Sequence, residues 1–139
     1  MMDAGSQYAS ILGICFVCAS LIIVYGTIRC KIPGFSDPLT YAPVPPPWDR
    51  FLDGWGIAHF FFYGMLGYLF PQRWLFITMC GILWELIETV FKDHPFYLSK
   101  CNYSMGKEGG AVGWWYGRWE DIIMNTLGMV LGIVLSNRR

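Results

Sequence analysis

Four apolar runs divide this chain, at residues 8–28, 51–70, 73–91 and 120–136, and polar segments rich in proline or glycine separate them. The first run holds no charged side chain. At about 1.5 Å per residue it can cross a hydrocarbon core of about 30 Å. The second run is closed by Pro71, and the third begins at Arg73 after only Pro71 and Gln72. So short a turn predicts an antiparallel helical hairpin. The fourth run is short for a span, and tilt or a thin bilayer accommodates it. The pattern predicts an all-α fold, an integral membrane bundle of four transmembrane helices forming a single membrane domain over residues 1–139.

Two polar loops are expected, at residues 29–50 and 92–119. Pro33, Pro38, Pro43, Pro45, Pro46 and Pro47 bar a regular helix from the first. Residues 43–47 should run as extended, polyproline-like chain and act as a stiff spacer or a docking strip. The second loop holds Asp93, His94 and Glu108, which should face water. Trp114, Trp115, Tyr116 and Trp119 close it as an interfacial aromatic belt.

Composition agrees with lipid contact. Of 139 residues, 55% are hydrophobic, 18% are aromatic and only 14% are charged, against about 25% charged in an ordinary soluble domain. Basic and acidic residues balance at 10 each, so there is no basic footprint and nucleic acid is excluded as a partner. Cys15, Cys18, Cys30, Cys80 and Cys101 are odd in number, and three lie inside apolar runs. They read as small packing residues and not as a disulfide framework. A cleaved leader would carry its positive charge first. Here Asp3 precedes the first run and Arg29 and Lys31 follow it, which fits a retained anchor with its N-terminus outside. Arg29, Lys31, Arg50, Lys92, Lys100, Lys107 and Arg118 then fall on the long-loop side, against Arg73, Arg138 and Arg139 opposite. The expected localisation is integral, multi-pass membrane with cytosolic long loops.

Charge inside the runs is what calls for chemistry, since an ionised group at mid-bilayer costs about 2.5–3.5 kcal/mol. Helical rise puts Asp53 about 3 Å and His59 about 12 Å below the long-loop side, Glu88 about 6 Å, Glu85 about 10 Å and Asn125 about 8 Å, with Asp121 near the surface. Antiparallel spans therefore gather all six near one leaflet. Glu85 and Glu88 share a helix face and repel unless protonated or bridged. Gly56, His59, Tyr63 and Gly67 form one stripe of the second run. Asn125, Gly128 and Gly132 form another in the fourth, with Gly128 and Gly132 spaced for close helix approach. Blander readings stand beside these: Asp53 and Asp121 as solvated helix-start charges favoured by the dipole, His59 as a satisfied core histidine, Asn125 as interhelical glue.

Three segments in order carry a resemblance. Asp53-Gly-Trp-Gly-Ile-Ala-His59-Phe60 is followed by Trp84-Glu85-Leu86-Ile87-Glu88, then by Trp119-Glu120-Asp121 with Asn125, Gly128 and Gly132. The set resembles the VanZ-like membrane family, named for a teicoplanin-resistance protein. It also resembles the base-exchange phosphatidylserine synthases of animal endoplasmic reticulum. The first two segments look like the synthases, and the Asp121-to-Asn125 spacing looks more like VanZ. The synthases have one residue more at that spacing, and they are much longer. The resemblance implies calcium-dependent exchange of a phospholipid head group. It implies His59, Glu85, Glu88, Asp121 and Asn125 as catalytic candidates, and Glu85, Glu88, Asp121 and Asp53 as candidate ligands of Ca²⁺.

The expected function is that of a VanZ-like membrane protein with a His/Glu/Asp/Asn polar site near one leaflet, acting on or binding a phospholipid or lipid-linked substrate. Its partners would be membrane lipid and, in a second reading, other membrane subunits of which it is a structural or accessory member. A third reading is an ion or proton relay.

Overall fold

A computed structural model of the chain describes residues 3–32, 37–91 and 117–138. These residues form α1 (Ala4–Lys31), α2 (Gly54–Leu69), α3 (Trp74–Phe91) and α4 (Trp119–Ser136). Short 3₁₀ turns lie at Pro38–Thr40, Trp48–Arg50 and Pro71–Arg73. The fold is all-α, with no strand among the described residues. Loop residues 92–116, with Asp93, His94, Glu108, Trp114, Trp115 and Tyr116, lie outside the described residues.

Caps explain where helix boundaries differ from the apolar runs. Asp3 starts α1 four residues before the run does: its Oδ1 accepts from Ser6 N at 2.9 Å and its carbonyl accepts from Ser6 Oγ at 3.1 Å. Asp53 is expected inside the second run, but it precedes α2 as the N-cap, with Oδ1 accepting from Gly56 N at 2.7 Å. The proline strip does not run straight. Trp48 N donates to Pro45 O at 3.2 Å, and this turn feeds the 3₁₀ segment Trp48–Arg50 that brings the chain back onto α2.

Side-chain contacts set the directions of the helices. His59 meets Glu85, and Tyr63 Oη lies where a side chain on Gly81 would be, so α2 and α3 are antiparallel. Phe60 abuts Gly128 and Gly64 abuts Gly132, so α2 and α4 are parallel. Tyr8 packs edge-on against Phe76 at 4.9 Å, and Arg73 Nε donates to Gln7 Oε1 at 3.0 Å. Tyr25 meets Trp55 at 5.8 Å, which places α1 antiparallel to α2. The result is an up-down-up-down arrangement with the two long connections at one end and the Pro71 turn at the other.

The two ends differ in chemistry. Ile11, Leu66 and Ile77 are fully buried toward the Pro71 turn, with Tyr63, Phe70 and Met129 around them. The buried polar residues Asp37, Asp53, Glu85, Glu120, Asp121 and Asn125 lie toward the long connections. Outward faces are apolar on every helix: Leu12, Phe16 and Leu21 on α1, Phe61 and Met65 on α2, Leu75, Met79 and Val90 on α3, Leu127 and Val130 on α4 are all exposed. The hydroxyls of Ser20, Thr27, Thr78, Thr89 and Thr126 each donate to the carbonyl four residues back at 2.7–2.9 Å, so they ask nothing of their surroundings. Among the described residues α1 (over Ala4–Ile28) and α4 are long and apolar enough to cross a membrane.

Candidate functional site

The site is built where α2 and α4 touch. A Cβ on Gly128 would fall on the carbonyl oxygen of Phe60, and one on Gly132 on the carbonyl oxygen of Gly64. A Cβ on Gly67 would stand 2.5 Å from the Met129 oxygen, and one on Gly64 would stand 3.3 Å from the Gly128 oxygen. Only glycine lets two helices approach so far. That approach brings His59 within reach of Asn125, and His59 Nδ1 lies 2.9 Å from Asn125 Oδ1. The amide oxygen accepts, so Nδ1 donates its proton to it, and in the neutral ring the basic nitrogen is then Nε2.

From α3, Glu85 comes up beneath this pair, with Oε1 3.7 Å from His59 Nδ1. From the first turn of α4, Asp121 completes the group. Ligand-capable atoms of His59, Glu85 and Asp121 all lie within 4.8 Å of one another. Glu85 and Asp121 are each 4% exposed. Glu85 Oε2 accepts from Arg118 N at 3.0 Å, while Glu85 Oε1 and Asp121 Oδ1 are buried with no hydrogen-bond partner. Two buried carboxylates so close repel unless a proton or a cation joins them, and those two oxygens are where either would bind.

Four of the residues expected to gather thus do so: His59, Glu85, Asp121 and Asn125. Two expected ligands stand apart. Glu88, one turn beyond Glu85, is half-buried and lies outside the group formed by His59, Glu85 and Asp121. Asp53 is already committed, one oxygen to its helix cap and the other to Arg118 Nη1 at 2.5 Å.

Arg118 is the residue that sequence reasoning left in a loop. Its backbone holds Glu85, while its guanidinium pairs with Asp53 and donates to the carbonyl of Arg50. Its neighbour Gly117 lies against the Glu85 carbonyl and the Thr89 hydroxyl, with no room for a side chain. The available signal was a lone cation abutting an acid-headed helix, opposite an acid-capped one. Glu120, 3% exposed, lies 3.6 Å from Arg50 Nη1. Together Asp49, Arg50, Asp53, Arg118 and Glu120 line an open polar cleft of about 440 Å³. Asp37 was also missed. It is 3% exposed and accepts from Tyr25 Oη at 2.5 Å, Leu39 N at 2.9 Å and Trp55 Nε1 at 3.3 Å. It thereby ties α1, the first connection and α2 together.

On its other side the histidine faces apolar space. A partly open cavity of about 190 Å³ lies among α1, α2 and α3, and His59 is on its wall with Cys15, Ala19, Ala58, Phe62 and Cys80. His59 therefore stands between a buried acid group and an oily recess. Its ring also stacks on Tyr63, with centroids 6.5 Å apart. Comparison of the chain with protein-family models, with curated proteins and with solved structures finds no match.

Proposed function

We propose that the protein is a four-span integral membrane protein that binds a phospholipid or lipid-linked substrate near the leaflet beside its long connections, and that His59, Glu85, Asp121 and Asn125 act on the substrate's polar end. The observation that carries this reading is the convergence of the half-buried His59 with the buried Glu85 and Asp121 at one end of a bundle whose outer faces are apolar. A soluble monomer does not leave large apolar side chains exposed on every helix. Buried ionisable groups in a membrane bundle mark function by default. The exposed aromatics Tyr41, Trp48 and Trp119 at one end and Trp74 at the other suit the two bilayer interfaces.

The chemistry that fits is transfer of a phosphodiester between alcohols. His59 Nε2 takes the proton of an attacking hydroxyl as its oxygen bonds to phosphorus, and the imidazolium returns that proton to the old head-group oxygen as its bond to phosphorus breaks. Asn125 fixes the ring tautomer, and the Glu85 carboxylate favours the imidazolium that forms. Glu85 and Asp121, with their unpartnered oxygens, fit part of the oxygen shell of a divalent cation such as Ca²⁺. A calcium ion takes about six to eight oxygens, so lipid phosphate and water would supply the rest. When bound, it would neutralise phosphate charge. The polar cleft around Arg50 and Arg118, where charges of both signs alternate, suits an incoming head group. The resemblance to VanZ-like proteins and to the base-exchange synthases points the same way.

The test is exchange of a labelled free alcohol (serine, ethanolamine or choline) into phospholipid, in vesicles containing the full chain and Ca²⁺. His59→Ala should lower the rate by about 10²–10⁴-fold, and Glu85→Ala should do likewise. Equal rates in wild type and both variants would remove the mechanism. A relay for ions or protons is disfavoured, because the apolar layer of Ile11, Leu66 and Ile77 lies between the polar cluster and the far end.

A further inference from the structure

We propose that the cavity among α1, α2 and α3 is the seat of one hydrocarbon tail of a membrane lipid, held with its head toward the long connections and its methyl end against Cys15, Cys80 and Tyr63. The proposal rests on the reading that these helices cross a bilayer, and it adds the part of the ligand that the polar site does not touch.

The shape of the space is the first argument. On α2 the cavity runs from Trp55, in the first turn, to Tyr63 near the middle of the helix, a length of about 12 Å. On α1 it runs from Ile22 inward to Cys15, and on α3 from Trp84 inward to Cys80. It is therefore a slot along the bilayer normal that begins at the level of the polar site and ends near the centre of the bundle. At its inner end the wall is formed by Cys15, Tyr63 and Cys80. At about 190 Å³ it exceeds the apolar cavity of about 150 Å³ that suffices to bind benzene.

The choice of side chains is the second argument. Each helix contributes small residues to this space, Cys15, Cys18 and Ala19 from α1, Ala58 from α2 and Cys80 from α3, beside larger aromatic ones from α2 and α3. Yet α1 carries Leu12, Phe16, Val17 and Leu21 on faces exposed to the outside. Apart from Ile22, which lines the outer end of the slot, these bulky α1 side chains are placed away from it. The helix is also pinned at both ends, by Arg73 on Gln7 and Tyr8 and by Tyr25 on Asp37, so it spans the opening without collapsing into it. The third argument is polarity. Among the described residues, His59 is the one ionisable group, thiols and tyrosine aside, on an otherwise apolar wall. An apolar tail fills such a slot, and its ester-linked head comes to lie beside the imidazole. A free alcohol or phosphate has no reason to enter it.

Photolabelling decides the matter without reference to catalysis. The full chain is placed in nanodiscs of dioleoylphosphatidylcholine containing a phosphatidylcholine whose tail ends in a diazirine, and adducts are mapped by mass spectrometry. Adducts on Cys15, Cys80 and Tyr63 are expected in excess over the outward-facing Phe16 and Phe61. Ala58→Trp and, separately, Cys18→Phe should abolish that excess and leave the outward adducts unchanged, which also reports that the variants are folded. Adducts confined to outward positions in the wild-type chain, or an excess that survives both fillings, would overturn the proposal. His59→Ala should keep the cavity adducts. Tail labelling without head-group exchange by any alcohol would leave this site standing and remove the catalytic reading, and exchange without tail labelling would do the reverse.

Discussion

Along the seam of α2 and α4, small residues bring two backbones into contact; along the inner face of α1, small residues hold space open. Gly64, Gly67, Gly128 and Gly132 leave no gap, and the same seam fixes the His59–Asn125 bond. Cys15, Cys18 and Ala19 line a cavity, although they are little larger than glycine. The difference lies in what pins the helices. α2 and α4 cross where both present glycine, so nothing stops them short of backbone contact. α1 is held at its ends by Arg73 and by Tyr25, and at Ile11 by the buried core. Small side chains at a free crossing close it, and small side chains on a strut leave room beside it. The seam supplies rigidity for a charge cluster, and the gap supplies access.

The largest effect expected on this contrast comes from the clasp at the seam's polar end. Arg118→Ala leaves Asp53 buried without its cation, and breaking a buried pair from one side costs about 3–5 kcal/mol. The folded fraction in detergent, followed by thermal unfolding, should drop accordingly. Asp53→Asn combined with Arg118→Ala should recover much of the loss, because no uncompensated charge remains. A single variant as stable as wild type would show that Arg118 does not hold the seam.

Next come the seam glycines. Gly128→Ala and Gly132→Ala each set a methyl on a backbone carbonyl that cannot rotate away, and overpacking of this kind costs about 1–3 kcal/mol. The separation of α2 and α4 must also grow, so His59 and Asn125 should part. Site-directed spin labels on the outward Phe61 and Val130 should report a longer distance. An unchanged distance would mean that the seam is not backbone-limited.

How far the sequence foretold these two regions follows from what each depends on. The four helices and the meeting of His59, Glu85, Asp121 and Asn125 were legible, because period, hairpin topology and helical rise fix depth without knowledge of packing. The glycine pair at 128 and 132 was legible for the same reason. Arg118, Asp37 and the cavity were not. Arg118 acts through a backbone N–H and a long side chain reaching back 65 positions, and Asp37 joins three segments that no local pattern links. The small residues of α1 gave no sign of being a wall, since the same composition serves a packed face. Asp53 is expected as a metal ligand, whereas a capping aspartate spends one oxygen on its own helix.

At the other region, Tyr25→Phe removes one hydrogen bond to Asp37, and a bond to a charged group is worth about 1.5–3 kcal/mol at most. The bonds from Leu39 N and Trp55 Nε1 keep Asp37 from being stranded, so the loss should sit at or below the lower end of that range. It should also be local. Hydrogen exchange should speed up at Leu39 and Thr40, while the α2–α4 seam stays protected. Loss of protection across the whole bundle would make α1 part of the rigid unit and not a strut beside it.

The smallest effect should come from Gly13→Ala. A Cβ at Gly13 has nothing within 4 Å, whereas at Gly128 it strikes a carbonyl, so the same added methyl tests both regions. In mid-helix, alanine is favoured over glycine by up to about 1 kcal/mol. Stability should therefore stay level or rise slightly, with no change in the His59–Asn125 geometry or in the cavity. The pair of substitutions isolates context, since chemistry, volume and secondary structure are held constant between them. If Gly13→Ala instead destabilised as much as Gly128→Ala, the outer face of α1 would have to be covered in the assembled protein. The free strut beside a closed seam would then be an incomplete description, and the slot behind α1 would need to be redrawn with whatever lies against that face.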